Sequence, residues 1–131
     1  MSNKIICLID DDPIYQIITK KIICRSETAS KIISFCNGSD AIEGLVSLVH
    51  KIDEQPDIIL LDIDMPIMDG WHFMEAFEKV KPMMAKEIEI YIVSSSIANS
   101  DKEKAKSYAG IHGYISKPIS LENILEIAKA S

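Results

Sequence analysis

Short apolar segments alternate with helical patterns along the whole chain. Five segments consist mostly of apolar residues, which is typical of strands that are buried on both faces. They lie at residues 4–9, 31–36, 58–61, 88–93 and 111–115. After each of them apolar residues recur at spacings of three and four, which predicts five helices. Strands that alternate with helices pair in parallel through right-handed crossovers, so the pattern predicts one α/β sandwich over residues 1–131.

Start signals support several of these helices. Pro13 suits the first turn of a helix, and the side chain before it suits an N-cap. The N-caps are predicted at Asp12, Asp69, Ser100 and Ser120. In the first helix the apolar stripe that should face the core is predicted to consist of Ile14, Ile17, Ile18 and Ile22.

The charge balance excludes some classes of partner. The chain has 14 basic and 20 acidic residues, a net charge of −6. Direct nucleic-acid binding is not expected, because it needs a concentrated positive face. No apolar stretch approaches the length of a membrane span, and no secretion signal precedes the first acidic residues. An odd number of cysteines, three, without such a signal predicts a cytoplasmic location.

Charged and hydroxyl side chains follow the strands at the points where they end. These side chains are Asp10 and Asp11 after the first strand, Asp62 and Asp64 at the third, Ser94 at the fourth and Lys117 after the fifth. Because the carboxyl ends of parallel strands meet at one edge of the sheet, we expect these groups to lie together.

The grouping predicts a site for phosphoryl chemistry. Several carboxylates at one edge repel one another unless a cation lies between them, and their oxygens suit Mg²⁺, or Mn²⁺ in its place. A metal ion held by two carboxylates and a carbonyl keeps positions open for phosphate oxygens. Lys117 adds a positive charge and Ser94 a hydroxyl donor. Phosphoryl transfer needs chiefly positioning and charge neutralisation, so Asp62 is predicted to be the nucleophile that forms an aspartyl phosphate.

Each of these features also has a simple structural interpretation. Asp12 is interpreted as a helix cap rather than a ligand, residues 94–96 can be an ordinary polar strand end, and Lys117-Pro118 a plain turn. The site hypothesis depends on their coincidence, since each lies at the carboxyl end of a strand and their chemical types complement one another.

Four segments of the chain resemble the receiver domain of two-component response regulators. They are residues 8–13 (LIDDDP), 60–70 (LLDIDMPIMDG), 93–95 (VSS) and 113–118 (GYISKP). Their order and spacing make the resemblance specific, and it extends over essentially the whole chain. It implies a flavodoxin-like (βα)5 sandwich of three layers, with a parallel five-stranded sheet in the order 2-1-3-4-5.

The resemblance also implies roles for the acidic residues. Asp62 would accept a phosphoryl group from a phosphohistidine on a sensor histidine kinase or a histidine phosphotransfer protein. Asp11 would bind Mg²⁺ directly and Asp10 mostly through water. The position of Asp64 would contribute its backbone carbonyl, although an aspartate side chain there is a departure of unspecified effect.

The remaining implied roles concern the switch and the output. Ser94 would bond one phosphoryl oxygen and Lys117 another, and the peptide bond before Pro118 would be cis. Tyr114 would be the switch aromatic. We expect a stand-alone receiver, monomeric or weakly dimeric, that signals through contact with an unidentified protein target. It would assist its own phosphorylation and dephosphorylation but not turn over external substrates.

Two alternatives stay open at this point. An apolar strand followed by Asp62-Ile63-Asp64 also resembles the first motif of haloacid-dehalogenase-like phosphatases, in which the second aspartate is the acid/base. That motif is normally near the N-terminus, and it would leave Asp10 and Asp11 without a role. The other alternative is a pseudo-receiver that serves only as a binding scaffold, which the complete set of acidic, hydroxyl and lysine side chains disfavours.

Overall fold

Five parallel strands form a single sheet through the middle of the protein. The structure, a computed structural model, describes residues 4–63, 70–94 and 110–130. The strands are β1 (Lys4–Ile9), β2 (Ala29–Phe35), β3 (Ile58–Asp62), β4 (Glu89–Ser94) and β5 (Ile111–Ser116). They pair in parallel in the order β2-β1-β3-β4-β5. The predicted flavodoxin-like order is therefore confirmed.

Helices cover both faces of this sheet. Within the described ranges they are α1 (Pro13–Ser26), α2 (Gly38–Ser47), α3 (Gly70–Val80) and α4 (Leu121–Ala130), with short 3-10 turns at Ile52–Glu54 and Lys81–Met83. The helix predicted to begin at Ser100 and the N-cap predicted at Asp69 lie outside the described residues. Among the described residues, no helix combines the length and the apolar character that crossing a membrane requires.

The core consists of two clusters, one on each face of the sheet. Alternate residues of the central strands point to opposite sides: Ile59 and Leu61 pack with α2 and α3, while Ile58 and Leu60 pack with α1 and α4. All five residues of β3 are buried. Because no face of β3 meets water, polar groups on this strand are confined to its end, where Asp62 lies.

Helix α1 buries a different face from the one that its isoleucines predicted. Ile14, Ile17 and Ile18 are 68%, 55% and 44% exposed. The expectation that these residues pack on the core is wrong, and only Ile22 of the predicted stripe packs partly against it. The buried residues of the helix are instead Gln16, Thr19 and Ile23.

A polar contact explains this orientation. The Nε2 group of Gln16 donates to the backbone carbonyls of Asp10 and Phe35, at 2.7 and 2.9 Å. Asp10 follows β1 and Phe35 ends β2, and the carbonyl of Phe35 also accepts from the N–H of Asp10 at 3.2 Å. Loss of a hydrogen bond to a buried polar group costs about 1–3 kcal/mol. The amide of Gln16 therefore helps to hold this side of α1 against the sheet edge, while the three isoleucines lie on the exposed side.

The orientation of α1 can be tested by truncating one isoleucine on each face. Ile23 is fully buried, so Ile23→Ala should lower the free energy of unfolding by about 2–5 kcal/mol. Ile17→Ala makes the same chemical change on the exposed face and should alter it by less than about 0.5 kcal/mol. Urea denaturation measures both values. Equal losses at the two positions would contradict the orientation of the helix.

Candidate functional site

Three carboxylates meet at the carboxyl edge of the sheet. Asp10 and Asp11 follow β1, and Asp62 is the last residue of β3. One oxygen from each lies within 4.8 Å of the others. The side chains of Asp10 and Asp62 are 13% and 5% exposed, whereas Asp11 is open to solvent. The structure thus brings three of the predicted ligands to one place, and the fourth, Asp64, lies outside the described residues.

Lys117 lies between two of these carboxylates. Its Nζ atom is 3.2 Å from Oδ2 of Asp10 and 3.5 Å from Oδ2 of Asp62. Burial alone would lower the pKa of Lys117, but the charges of Asp62 and then Asp10 outweigh it and raise the pKa. The lysine is therefore positively charged at neutral pH.

The backbone fixes where this lysine begins. The N–H of Lys117 donates to the carbonyl of Ser94 at 2.8 Å, which joins the ends of β4 and β5. The peptide bond between Lys117 and Pro118 is cis, as the resemblance implied. The side chain thus starts from a backbone position that the neighbouring strand holds.

The residues fit a hard divalent cation. Three carboxylates against one ammonium leave the edge with excess negative charge, and all of the charged ligands are oxygens. Ions of the size and charge of Mg²⁺ prefer such ligands. One oxygen of Asp10 accepts from the N–H of Asp12 at 2.9 Å and the other meets Lys117, so Asp11 and Asp62 are better placed for direct binding.

Asp12 has a separate, structural task. Its Oδ1 atom accepts from the N–H groups of Ile14 and Tyr15 at 3.0 and 3.3 Å. These bonds satisfy two of the free donors at the start of α1, which confirms the predicted N-cap. Asp12 therefore caps helix α1, whereas Asp10 and Asp11 belong to the acidic cluster.

The proposed switch residues lie on the two strands beyond Asp62. Ser94 is fully buried at the end of β4, one position past Val93, which pairs with Asp62. Tyr114 on β5 pairs with Ile92 and packs, half-buried, against the α2–α3 side of the core. Both therefore lie close to the acidic edge, one on its neighbouring strand and one on the strand after it.

Two neighbours of the site were not among the predicted residues. Gln16 holds the backbone at Asp10, and the ring of Tyr15 lies over Lys117 with Nζ 4.4 Å from its centroid. In the sequence, a glutamine placed among isoleucines is a weak signal that Gln16 has a structural role. The contact of Tyr15 depends on strand order and could not be inferred from spacing.

Comparison with known proteins agrees with this geometry. Residues 6–129 match the family model described as the response regulator receiver domain. The chain belongs to this family. The predicted class, a phosphoacceptor receiver of two-component signalling, is thereby confirmed, and the match favours neither the phosphatase nor the pseudo-receiver alternative.

Two curated relatives are similar to this chain over nearly its whole length. The nitrate/nitrite response regulator protein NarL of Escherichia coli is 31% identical over 130 residues, which covers 96% of this chain and 55% of that protein. The sensor histidine kinase CheAY of Helicobacter pylori is 29% identical, over 99% of this chain and 15% of that protein. The receiver thus spans only part of these curated relatives.

A solved structure is similar over the full length. The two component response regulator from Cytophaga hutchinsonii superimposes with a TM-score of 0.88 at 27% identity and covers 100% of both chains. The sheet order and the helix placement described above are therefore those of a known receiver structure.

Removing the amide of Gln16 should destabilise the receiver. Gln16→Met keeps the size of the side chain but leaves the carbonyls of Asp10 and Phe35 without this donor, at an expected cost of about 1–3 kcal/mol. Lys21→Met, on the exposed side of the same helix, is the matched control and should be nearly neutral. Urea denaturation of both variants checks the difference, and equal stability would contradict the role of the amide.

Proposed function

We propose that Asp62 accepts a phosphoryl group from a phosphohistidine on a sensor histidine kinase or a histidine phosphotransfer protein. The observation that carries this proposal is the contact of Lys117 with both Asp10 and Asp62, beside the exposed carboxylate of Asp11. A nucleophile with a fixed cation on one side and a metal-binding pair on the other is what transfer to a carboxylate requires.

In the proposed reaction an oxygen of Asp62 attacks phosphorus. The bond from phosphorus to the histidine nitrogen breaks, the new bond to Asp62 forms, and the imidazole leaves with its electron pair and takes a proton from solvent. Lys117 stays beside the transferred group and neutralises charge on one of its oxygens. The buried hydroxyl of Ser94, on the adjoining strand, would bond another.

A bound Mg²⁺ would neutralise the remaining charge of the phosphoryl oxygens. Asp11 and Asp62 would hold it directly and Asp10 through water, with the backbone at Asp64 as a further ligand. The same set of oxygens accepts Mn²⁺. The chemistry proposed is one phosphorylation of the receiver and its later hydrolysis, with no turnover of external substrates.

Phosphorylation would signal through Ser94 and Tyr114. A hydroxyl drawn towards the phosphoryl group leaves room beside it, and the half-buried ring of Tyr114 would move inward. Such a change is a shift between two packings that both exist beforehand. The surface that changes would then bind a protein target that is not yet identified.

The phosphodonor would also need a surface of the receiver on which to dock. Ile14, Ile17 and Ile18 form an exposed apolar face on α1, which begins directly after Asp10 and Asp11. A donor that brings phosphohistidine to Asp62 must approach this edge, and apolar side chains of the donor would pack on the isoleucines. We propose that this face is where the donor docks.

Wider aspects of the function follow from the same features. Residues 1–131 are proposed to form one receiver domain, because the described strands share one sheet and the family match spans 6–129. The three free cysteines support a reducing cytoplasm as its location. As a partner class we propose proteins rather than nucleic acid or membrane, with the receiver itself monomeric or weakly dimeric.

Incubation with acetyl phosphate and Mg²⁺ should add one phosphoryl group, which intact mass spectrometry detects. Asp62→Asn should abolish the gain, because the nucleophilic oxygen is lost. The matched control Asp53→Asn removes an exposed carboxylate far from the acidic edge and should leave the gain unchanged. Asp11→Asn should raise the Mg²⁺ concentration needed for half-maximal labelling by roughly tenfold, equivalent to about 1.4 kcal/mol.

Two outcomes would overturn this proposal. Wild-type protein that gains no phosphoryl group with any small donor and metal would exclude Asp62 as an acceptor. Multiple turnover of assorted phosphomonoesters would instead support the phosphatase.

The docking face can be tested with a phosphorylated histidine phosphotransfer protein that labels the wild type. Ile17→Ser should slow this transfer by about tenfold, the scale of about 1.4 kcal/mol for a lost apolar contact, while labelling by acetyl phosphate stays within twofold. Ile52→Ser is the control, because Ile52 is also 55% exposed but precedes β3 at the opposite edge of the sheet. Equal effects at the two positions would contradict docking on α1.

A further inference from the structure

The ring of Tyr15 covers Lys117 on the side of α1. Nζ of the lysine lies 4.4 Å from the ring centroid, within the range of a cation–π contact. The N-cap fixes where the ring starts, because Asp12 accepts a hydrogen bond from the N–H of Tyr15. The tyrosine is thus anchored by the same short segment that supplies the acidic residues.

The lysine is enclosed by two carboxylates and this ring. Its side chain is only 13% exposed, and Asp10 and Asp62 occupy two sides of the ammonium group. The aromatic ring therefore limits a third direction in which the ammonium group could move.

The phenol acts here as a neutral partner. Burial raises the pKa of Tyr15, and the positive charge of Lys117, which lowers it, only partly offsets this effect. The ring therefore faces the ammonium group with its π-electrons and not with a phenolate charge. Since exclusion from water strengthens such a contact, the low exposure of Lys117 favours it.

An uncharged partner can hold Lys117 without competing for a metal ion. A cation held by Asp11 and Asp62 would share the carboxylate of Asp62 with Lys117. The aromatic face is not a metal ligand, so its hold on the lysine would be unaffected by the metal. Without it, a flexible four-carbon side chain with weakened ion pairs would reach into solvent.

We propose that Tyr15 is a positioning residue that keeps Lys117 directed at Asp62 during phosphoryl transfer. This inference rests on the proposed function and adds a residue to it. The ring acts through the lysine and touches neither the phosphoryl group nor the metal. Its contribution should therefore follow the strength of the cation–π contact and not merely the size of the side chain.

The test is the rate of phosphorylation by acetyl phosphate at saturating Mg²⁺. Tyr15→Phe keeps the ring and should stay within twofold of wild type, whereas Tyr15→Leu should be slower by about tenfold. Phenylalanines with one, two and three ring fluorines at position 15 weaken the π-face at nearly constant size. The rate should fall progressively along this series.

Two further measurements separate positioning from simple loss of structure. Proton NMR should show the side-chain methylenes of Lys117 shifted upfield by the ring in wild type and in Tyr15→Phe, and not in Tyr15→Leu. In a Lys117→Met background the change Tyr15→Leu should have no further effect on the rate, because the proposed contribution of the ring passes through the lysine.

The outcomes distinguish this inference from the function beneath it. A wild-type protein that is phosphorylated but shows a flat fluorine series would overturn the role of Tyr15 and leave the acceptor role of Asp62 intact. The role of Tyr15 is equally overturned if Tyr15→Leu slows the reaction to the same extent with and without Lys117. A wild type that is never phosphorylated overturns both.

Discussion

The ammonium group of Lys117 allows three carboxylates to share one edge of the sheet. Like charges this close, on side chains that are only 5% to 13% exposed at Asp62 and Asp10, would oppose folding if nothing offset them. One lysine offsets part of this charge, and the remaining negative charge would attract the proposed metal ion.

The sheet determines where this balance can exist. Burial of β3 on both faces leaves no solvent-facing side chains along its length. Chemistry is restricted to the strand ends, and parallel pairing brings four such ends together. Helix α1 then adds the groups that hold the arrangement from one side: the cap at Asp12, the amide of Gln16 and the ring of Tyr15.

The strands were predictable from sequence because a strand buried on both faces is a plain run of apolar residues. The meeting of Asp10, Asp11, Asp62 and Lys117 followed from strand direction alone, without any knowledge of side-chain geometry. The buried face of α1 was not predictable in this way. Its orientation depends on two carbonyls that only the pairing of β1 with β2 brings within reach of Gln16.

Tyr15 shows the same limit within the site. Nothing in its own segment distinguishes it from an ordinary residue in the first turn of a helix. Its partner, Lys117, lies near the other end of the chain. The two residues meet because Lys117 follows β5 and Tyr15 lies in the first turn of α1, and both of these ends lie at the edge of the sheet that carries Asp62. Periodicity identifies faces and ends, whereas contacts between distant side chains require the folded structure.

The outward-facing isoleucines of α1 would give the proposed docking of a phosphodonor two components. Burial of Ile14, Ile17 and Ile18 would contribute by removing apolar surface from water, a contribution that added salt does not weaken. Lys21 is exposed on the same side of the helix, three residues after Ile18 and four after Ile17, so its charge would add a contribution that salt does weaken. The carboxylates at the sheet edge would repel an incoming phosphate most strongly in dilute salt. Ionic strength would therefore act on docking and on entry of the phosphoryl group through different residues.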